Sequence, residues 1–261
     1  MPLATFERRA DTGIITLNNP PLNLVSGALF ADFRAAVDEA TAVSVRALIV
    51  RAEGRVFSAG ADVTMFRGQG ASDQRDRSEA ALPFIHSFER MPFPTICAVQ
   101  GLCLAAGLEI ALACDLIIAG ESARFAQVEE AIGTTTLLGG AQRLAERAGS
   151  GRAFEIVYTG AQYDAATFER WNIVNRVVPD DTLQEEALAL AERLASGPTR
   201  ALAAGKRLIR TQAEGGVLAA DDLIDEVAAP LFESDDMRAA VRALMEHGAR
   251  NFREHVTFRG R

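Results

Sequence analysis

Residues Thr95–Gly140 read TICAVQGLCLAAGLEIALACDLIIAGESARFAQVEEAIGTTTLLGG, the most apolar part of the chain, yet they carry Glu109 and Glu129. An ionised carboxylate in apolar surroundings is costly unless it is paired or its pKa moves toward neutrality. Proteins keep such groups mainly where a carboxyl has acid–base work to do. The stretch therefore reads as the floor of an active site. Two other readings stand beside this one. Residues 95–120 have the length and apolarity of a membrane span, although Glu109 and Asp115 fall inside it, Gly101 and Gly107 interrupt it, and a strand-like TICAV opens it. Glu109 also suits a structural role at a helix start, because Gly107-Leu108-Glu109 has the character of a first turn.

Outward from this stretch the chain alternates strand and helix patterns. Residues 4–9 and 13–17 predict two short strands joined at Ala10-Asp11-Thr12, ended by Pro20-Pro21. Ser26 is placed to cap a helix to about residue 42, and ALIVRA (47–52) has the continuous apolar character of a strand buried on both faces. Residues 53–62 form a loop rich in small side chains, and 68–79 read as a mobile polar surface segment before a helix ending near Arg90. Further strands are expected at 95–99, 116–119 and 173–178. From Asp181 onward only helices are expected, at about 182–196, 199–212, 217–229 and 235–250, punctuated by Gly197-Pro198 and Gly215-Gly216. The fold class is α/β, with a core over 1–197 and a helical region over 198–261.

Composition sets the bounds. At 261 residues a single large core is affordable, and a net charge of −8 argues against a nucleic-acid binder and offers no basic membrane patch. An anionic substrate remains compatible, since a few Arg side chains and backbone N–H groups can hold phosphate. Cys97, Cys103 and Cys114 all sit in the central apolar stretch and read as reduced core thiols. With no apolar signal core in MPLATFERRADTG, a cytoplasmic protein is expected.

The chemistry is narrowed by what is missing. There is no phosphate loop, no GxGxxG after a strand, no GxSxG elbow and no HExxH, and His86, His247 and His255 lack metal-ligand spacing. Carboxylates and backbone donors remain. Ala59-Gly60-Ala61-Asp62 follows a buried strand, and its small side chains admit a ligand to the main chain. Leu104-Ala105-Ala106-Gly107 opens a helix whose first N–H groups have no intrahelical partner. One N–H from each, aimed at a carbonyl oxygen, would form an oxyanion hole for an enolate.

Two segments in register resemble signatures of the enoyl-CoA hydratase/isomerase (crotonase) superfamily. Ala47–Phe66 resembles its oxyanion loop, and Pro94–Leu144 resembles its P-x-I-A-x-V-x-G-x-x-x-G-G-G-x-E-L-A-x-x-C-D signature; WNIVNRVVP (171–179) and the aromatic-basic C-terminus also resemble the family. The resemblance, from about residue 3 to the end, implies a ββα spiral core with a C-terminal helical oligomerisation region, and a homotrimer or dimer of trimers. It implies an acyl-CoA thioester as substrate, and no metal or other cofactor. Carried over by position, Ala61 and Ala106 supply the oxyanion-hole N–H groups, Ala106 standing where a glycine is usual. Glu109 and Glu129 match the two catalytic glutamates, which add water across a 2-enoyl-CoA double bond. Glu109 helps activate the water, and Glu129 rather than the adjacent Glu130 handles the α-proton. Leu22, Ala59, Ala61 and Asp62 match positions lining the CoA channel, and Arg55 and Arg67 are looser candidates for phosphate contact.

One departure stands out. Where relatives carry I-P-G-x-G-G, this chain has Thr135-Thr136-Leu137-Leu138-Gly139-Gly140. Leu137 replaces a glycine beside the water and the acyl group, which narrows or reshapes the acyl pocket. The expected activity is hydration of an enoyl-CoA. Its rivals are a Δ3-Δ2-enoyl-CoA isomerase or other lyase on the same site, and a catalytically blocked acyl-CoA-binding protein.

Overall fold

The computed structural model describes all 261 residues, Met1–Arg261. In chain order the elements begin with β1 (Ala4–Arg9), β2 (Thr12–Leu17), α1 (Gly27–Ala42), β3 (Ala47–Ala52), α2 (Ala71–Glu89), β4 (Thr95–Val99), β5 (Leu102–Leu104), α3 (Ala106–Ala113) and β6 (Leu116–Gly120). They continue with β7 (Arg124–Ala126), α4 (Gly140–Ala148), α5 (Ser150–Thr159), β8 (Tyr163–Asp164), α6 (Ala165–Arg170), β9 (Arg176–Val178), α7 (Leu183–Ala195), α8 (Thr199–Phe232) and α9 (Asp235–Asn251).

The large sheet has the order β1-β2-β3-β4-β6-β9, antiparallel only between β1 and β2. Its strands alternate between two apolar layers, as a period of two requires. Leu48, Val50, Cys97, Val99, Ile117 and Ala119 face the main core under α1, α2 and α3. Ala47, Ile49, Ile96, Ala98 and Ile118 face Leu183, Ala187, Ala191 and Ala195 of α7, whose four-residue spacing and small side chains let that helix lie close. Burial on both faces accounts for the unbroken apolar runs of β3 and β4.

The smaller sheet, β5-β7-β8, is extended by single-residue parallel bridges between Ser58 and Cys103 and between Val25 and Ala61. Each pass of the chain thus gives one strand to the large sheet and a short extended piece to the small one before turning into a helix. This is a ββα spiral, and it stacks the segments around Ala61, Ala106 and Glu129 on successive turns.

Local signals explain most boundaries. Ser26 caps α1, its Oγ accepting the Leu29 N–H at 3.1 Å. Gly216, at φ 83°, breaks α8 where two helices were expected. Two expectations need correction. The segment at 68–79 is helical from Ala71, because the Asp73 carboxylate accepts the Gly70 N–H at 2.7 Å and Arg77 bonds Gln69 and Gln74. The strand expected over 173–178 is confined to 176–178: Ile173 and Val174 are buried, but their N–H groups bond Phe168 O in the turn after α6. No helix is long and apolar enough to cross a membrane.

Asn23 is the pin of this arrangement. It is 2% exposed, and its Nδ2 donates to Glu53 O at 2.8 Å and Val56 O at 2.9 Å while its Oδ1 accepts the Asn19 N–H at 2.7 Å. Asn23→Ala strands these groups, and buried unpaired polar groups are expensive. The expected loss is about 2–4 kcal/mol, read as a fall in melting temperature of roughly 5–15 °C by calorimetry.

Candidate active site

The Ser58–Asp62 loop is tied to β5 on one side and to the Leu22–Val25 segment on the other. Ser58 donates its N–H to Leu102 O at 3.0 Å and accepts the Leu104 N–H at 2.9 Å, while its Oγ donates to Asn23 O at 2.7 Å. The approach demands glycine at 107, where a Cβ would sit 2.6 Å from that of Ser58. Gly60, at φ 105°, is packed against Ala105. Val25 N–H bonds Gly60 O at 2.8 Å and Asp62 N–H bonds Val25 O at 3.1 Å. The Ala61 N–H between them is left without an acceptor.

Across the contact, Ala105 adopts φ 46° and ψ −122° at the turn from β5 into α3, its N–H bonded to Ala126 O at 2.9 Å. Such a conformation costs a non-glycine residue about 1–3 kcal/mol, and the surrounding bonds hold it in place. Ala106 is the first residue of α3, where an N–H has no intrahelical acceptor, and it has no other. Two free N–H groups therefore stand on two touching loops, which is the equipment an oxyanion hole requires.

Glu109 lies in the first turn of α3, 1% exposed. It does not cap its own helix: Oε1 accepts the N–H groups of Leu138 and Gly140, each at 2.8 Å. Burial raises its pKa, and those N–H groups and the Arg143 charge offset only part of that rise. Glu129 opens a short 3-10 turn, Glu129–Ile132, and is half-buried. Burial first, then the charge of Glu109, push its pKa up to about 7. The two carboxyls thus share one electrostatic neighbourhood but not one environment. Glu109 has two N–H donors and a nearby cation that oppose the effect of burial on its ionised form. Glu129, at about 7, is placed to exchange a proton at neutral pH. Glu130 is exposed and lies over Gly160, outside this pairing.

Gln127, not singled out in the sequence, is 1% exposed. With its amide nitrogen turned to the carboxylate it lies 3.0 Å from both Oε1 and Oε2 of Glu129. The same amide abuts Gly140, where a Cβ would collide with it and approach Glu109 Cγ to 2.9 Å. In the sequence it is only a polar residue flanked by Phe125-Ala126 and Val128, and its place beside the glutamates is visible only in the fold.

The other predicted residues lie on the neighbouring loops and at the surface. Leu22 is partly exposed, and its carbonyl accepts the Ala59 N–H at 2.9 Å, so these two line one edge together. Asp62 caps the 3-10 turn Val63–Phe66, its Oδ1 accepting the Thr64 N–H at 3.0 Å and the Thr64 hydroxyl at 2.6 Å, and these bonds hold its pKa low. Leu137 is half-buried beside the Leu138 peptide that serves Glu109. Arg55 and Arg67 are exposed. A separate cleft of about 500 Å³ between the two halves of α8 and the Arg90–Pro92 turn contains none of these residues. Of the cations lining it, Arg90 pairs with Glu214 and Arg207 with Glu226, each at 2.6 Å. No group of three or more His, Cys, Asp and Glu side chains is gathered for a metal ion.

Fold and site together define an α/β spiral that presents two backbone donors and two unequal carboxyls at one centre. Residues 7–255 match the family model described as enoyl-CoA hydratase/isomerase, and the chain belongs to that family. It is 37% identical over 195 residues to a probable enoyl-CoA hydratase of Rhizobium meliloti (strain 1021), covering 73% of this chain and 74% of that one. It is 32% identical to the mitochondrial enoyl-CoA hydratase of Pongo abelii, over 93% of this chain and 83% of the relative. Among solved structures, the enoyl-CoA hydratase from Bacillus anthracis superposes with a TM-score of 0.90 at 26% identity, over 99% of this chain and 100% of that one.

Two results are expected at this site. Ala61→Pro deletes an N–H that has no partner in the fold, and kcat/KM on a thioester substrate should fall by about 10²–10³. In Glu109→Gln the like charge that raises Glu129 is gone. The alkaline limb assigned to Glu129, near 7 in the parent protein, is then expected at lower pH in the residual activity profile.

Proposed function

We propose that this protein is an enoyl-CoA hydratase, adding water reversibly to a 2-enoyl-CoA thioester. The observation that carries the reading is the pair of unequal carboxyls beside two unpaired backbone N–H groups. The thioester carbonyl oxygen binds the N–H groups of Ala61 and Ala106, which draws electrons from the conjugated double bond. A water held between the glutamates gives a proton to the Glu109 carboxylate as its oxygen bonds to Cβ. The electron pair moves to the carbonyl oxygen as an enolate. Glu129 then delivers its proton to Cα, the carbonyl re-forms, and the glutamates exchange protonation states. Dehydration is the same path reversed, and no step in it calls on a metal or redox cofactor.

Leu22, Ala59 and Asp62 are assigned to the CoA channel and Leu137 to the acyl pocket, which it narrows where relatives have glycine. The division into a spiral core over 1–197 and a helical region over 198–261 that builds a homotrimer or dimer of trimers is part of the same proposal. Supporting it, Ile209, Val217, Leu218, Ile224, Phe232, Val241, Leu244 and Met245 are all exposed on α8 and α9 of the isolated chain. Surfaces of that kind are covered in assemblies. The buried free thiols of Cys97, Cys103 and Cys114 suit a cytoplasmic setting.

The reading is tested by loss of the conjugated enoyl absorbance on mixing with a short 2-enoyl-CoA. The parent protein should turn over, and Glu109→Ala and Glu129→Ala should each lose activity by orders of magnitude while still binding the thioester. Activity on a 3-enoyl-CoA that survives Glu109→Ala and needs only Glu129 would instead establish an isomerase. Tight acyl-CoA binding with no turnover of either substrate would establish a binding protein.

A further inference from the structure

The groups that donate to Glu109 are themselves held from behind. Arg143, in the first turn of α4 and 7% exposed, directs its whole guanidinium inward. Its Nε and Nη2 donate to the two carboxylate oxygens of Glu89 at 2.8 and 2.5 Å, and its Nη1 donates to Leu138 O at 2.9 Å and Gly139 O at 3.0 Å. The Gly139 carbonyl belongs to the same planar peptide unit as the Gly140 N–H, which bonds Glu109. One end of that rigid plate is therefore gripped by Arg143 and the other by the candidate base. If Arg143 lets go, the plate is free to swing and the N–H leaves Glu109. Gly139, at φ 91°, is glycine for the same reason, since a Cβ there would run into the guanidinium.

Buried ion pairs are poor sources of net stability, and an apolar replacement is often neutral. A bidentate Arg–Glu pair spent on two carbonyls of one loop is better accounted for by what it holds in place. We propose that Arg143, clamped by Glu89, is a positioning residue that sets the orientation of the Leu138–Gly140 peptides and through them the carboxylate of Glu109. The proposal rests on the assignment of Glu109 as the group that activates water. The charged groups facing Glu109 are Arg143 from α4 and Glu129 from the 3-10 turn. Behind Arg143 stand Glu89 on α2 and then Arg210 on α8, its Nη1 3.3 Å from Glu89 Oε1.

The test compares Arg143→Lys and Arg143→Met with Arg210→Met, which removes a cation from the outer part of the same cluster. Folding is checked by circular dichroism, and Arg143→Lys keeps the buried volume nearly filled. In Arg143→Met, kcat for hydration of a short 2-enoyl-CoA should fall about 10–100-fold with KM little changed, and Arg143→Lys should recover part of the loss. The acid limb of the rate profile should move to higher pH, because Glu109 loses donors and a charge that favour its ionised form. Arg210→Met should lower stability but leave kcat and that limb where they were. A second readout needs no turnover: the infrared carbonyl stretch of protonated Glu109, assigned by its loss in Glu109→Gln, should titrate at higher pH in Arg143→Met and also, with the positive charge kept, in Arg143→Lys. If it titrates as in the parent protein, the positioning role is wrong. If it shifts but the parent protein hydrates no enoyl-CoA, the positioning role stands and the assigned reaction falls.

Discussion

A buried carboxylate must find donors, and in this chain Glu109 finds them in the N–H groups of Leu138 and Gly140. Much of the centre follows from that constraint. The loop before α4 must turn two of its N–H groups toward α3 and present its carbonyls the other way, which calls for a donor to those carbonyls in Arg143 and for glycine at 139 and 140. Helix α3 in turn must start where it does, so that Glu109 comes up in its first turn and the free Ala106 N–H lies at its tip. The strained Ala105 turn is tolerated because the surrounding bonds determine it.

The ββα spiral brings these pieces together with little dedicated machinery. Successive passes lay the Leu22–Val25 segment, the Ser58–Ala61 loop, β5 and β7 side by side, and the single-residue bridges at Val25–Ala61 and Ser58–Cys103 lock the loops in register. In a parallel arrangement every second N–H faces away from its neighbour, and at Ala61 that leaves a donor free for a ligand. The same stacking puts Glu129, just after β7, near Glu109, where burial and like charge raise its pKa to about 7. In the proposed hydration, Glu109 would take a proton from water and Glu129 would give one to carbon.

Much of this was legible in the sequence because it is carried by local pattern. The apolar runs of β3 and β4, the Ser26 cap and the Gly216 break each announce themselves within a few residues. Glu109 and Glu129 stood out as carboxylates in apolar context, and the family signatures placed Ala61 and Ala106 beside them. What escaped depends on contacts distant in sequence or on competing local bonds. Arg143 and Glu89 lie far apart in the chain, and nothing in either neighbourhood says that they meet. Gln127 has meaning only once Gly140 is known to lie against it. The 68–79 segment is polar enough to pass for a mobile loop, and it is ordered by a single cap from Asp73 and the side-chain bonds of Arg77.

The division of labour between the glutamates is the central claim, and it can be measured without substrate. Glutamate carboxyl carbons labelled with 13C would be titrated by NMR in the free protein, with Glu109→Gln and Glu129→Gln supplying the assignments. One resonance, that of Glu129, should titrate near 7 and move to lower pH when Glu109 is neutralised. If instead both carboxyls titrate independently close to the ordinary glutamate value of 4.5, the site does not separate them. Glu109 as the base and Glu129 as the acid would then be contradicted.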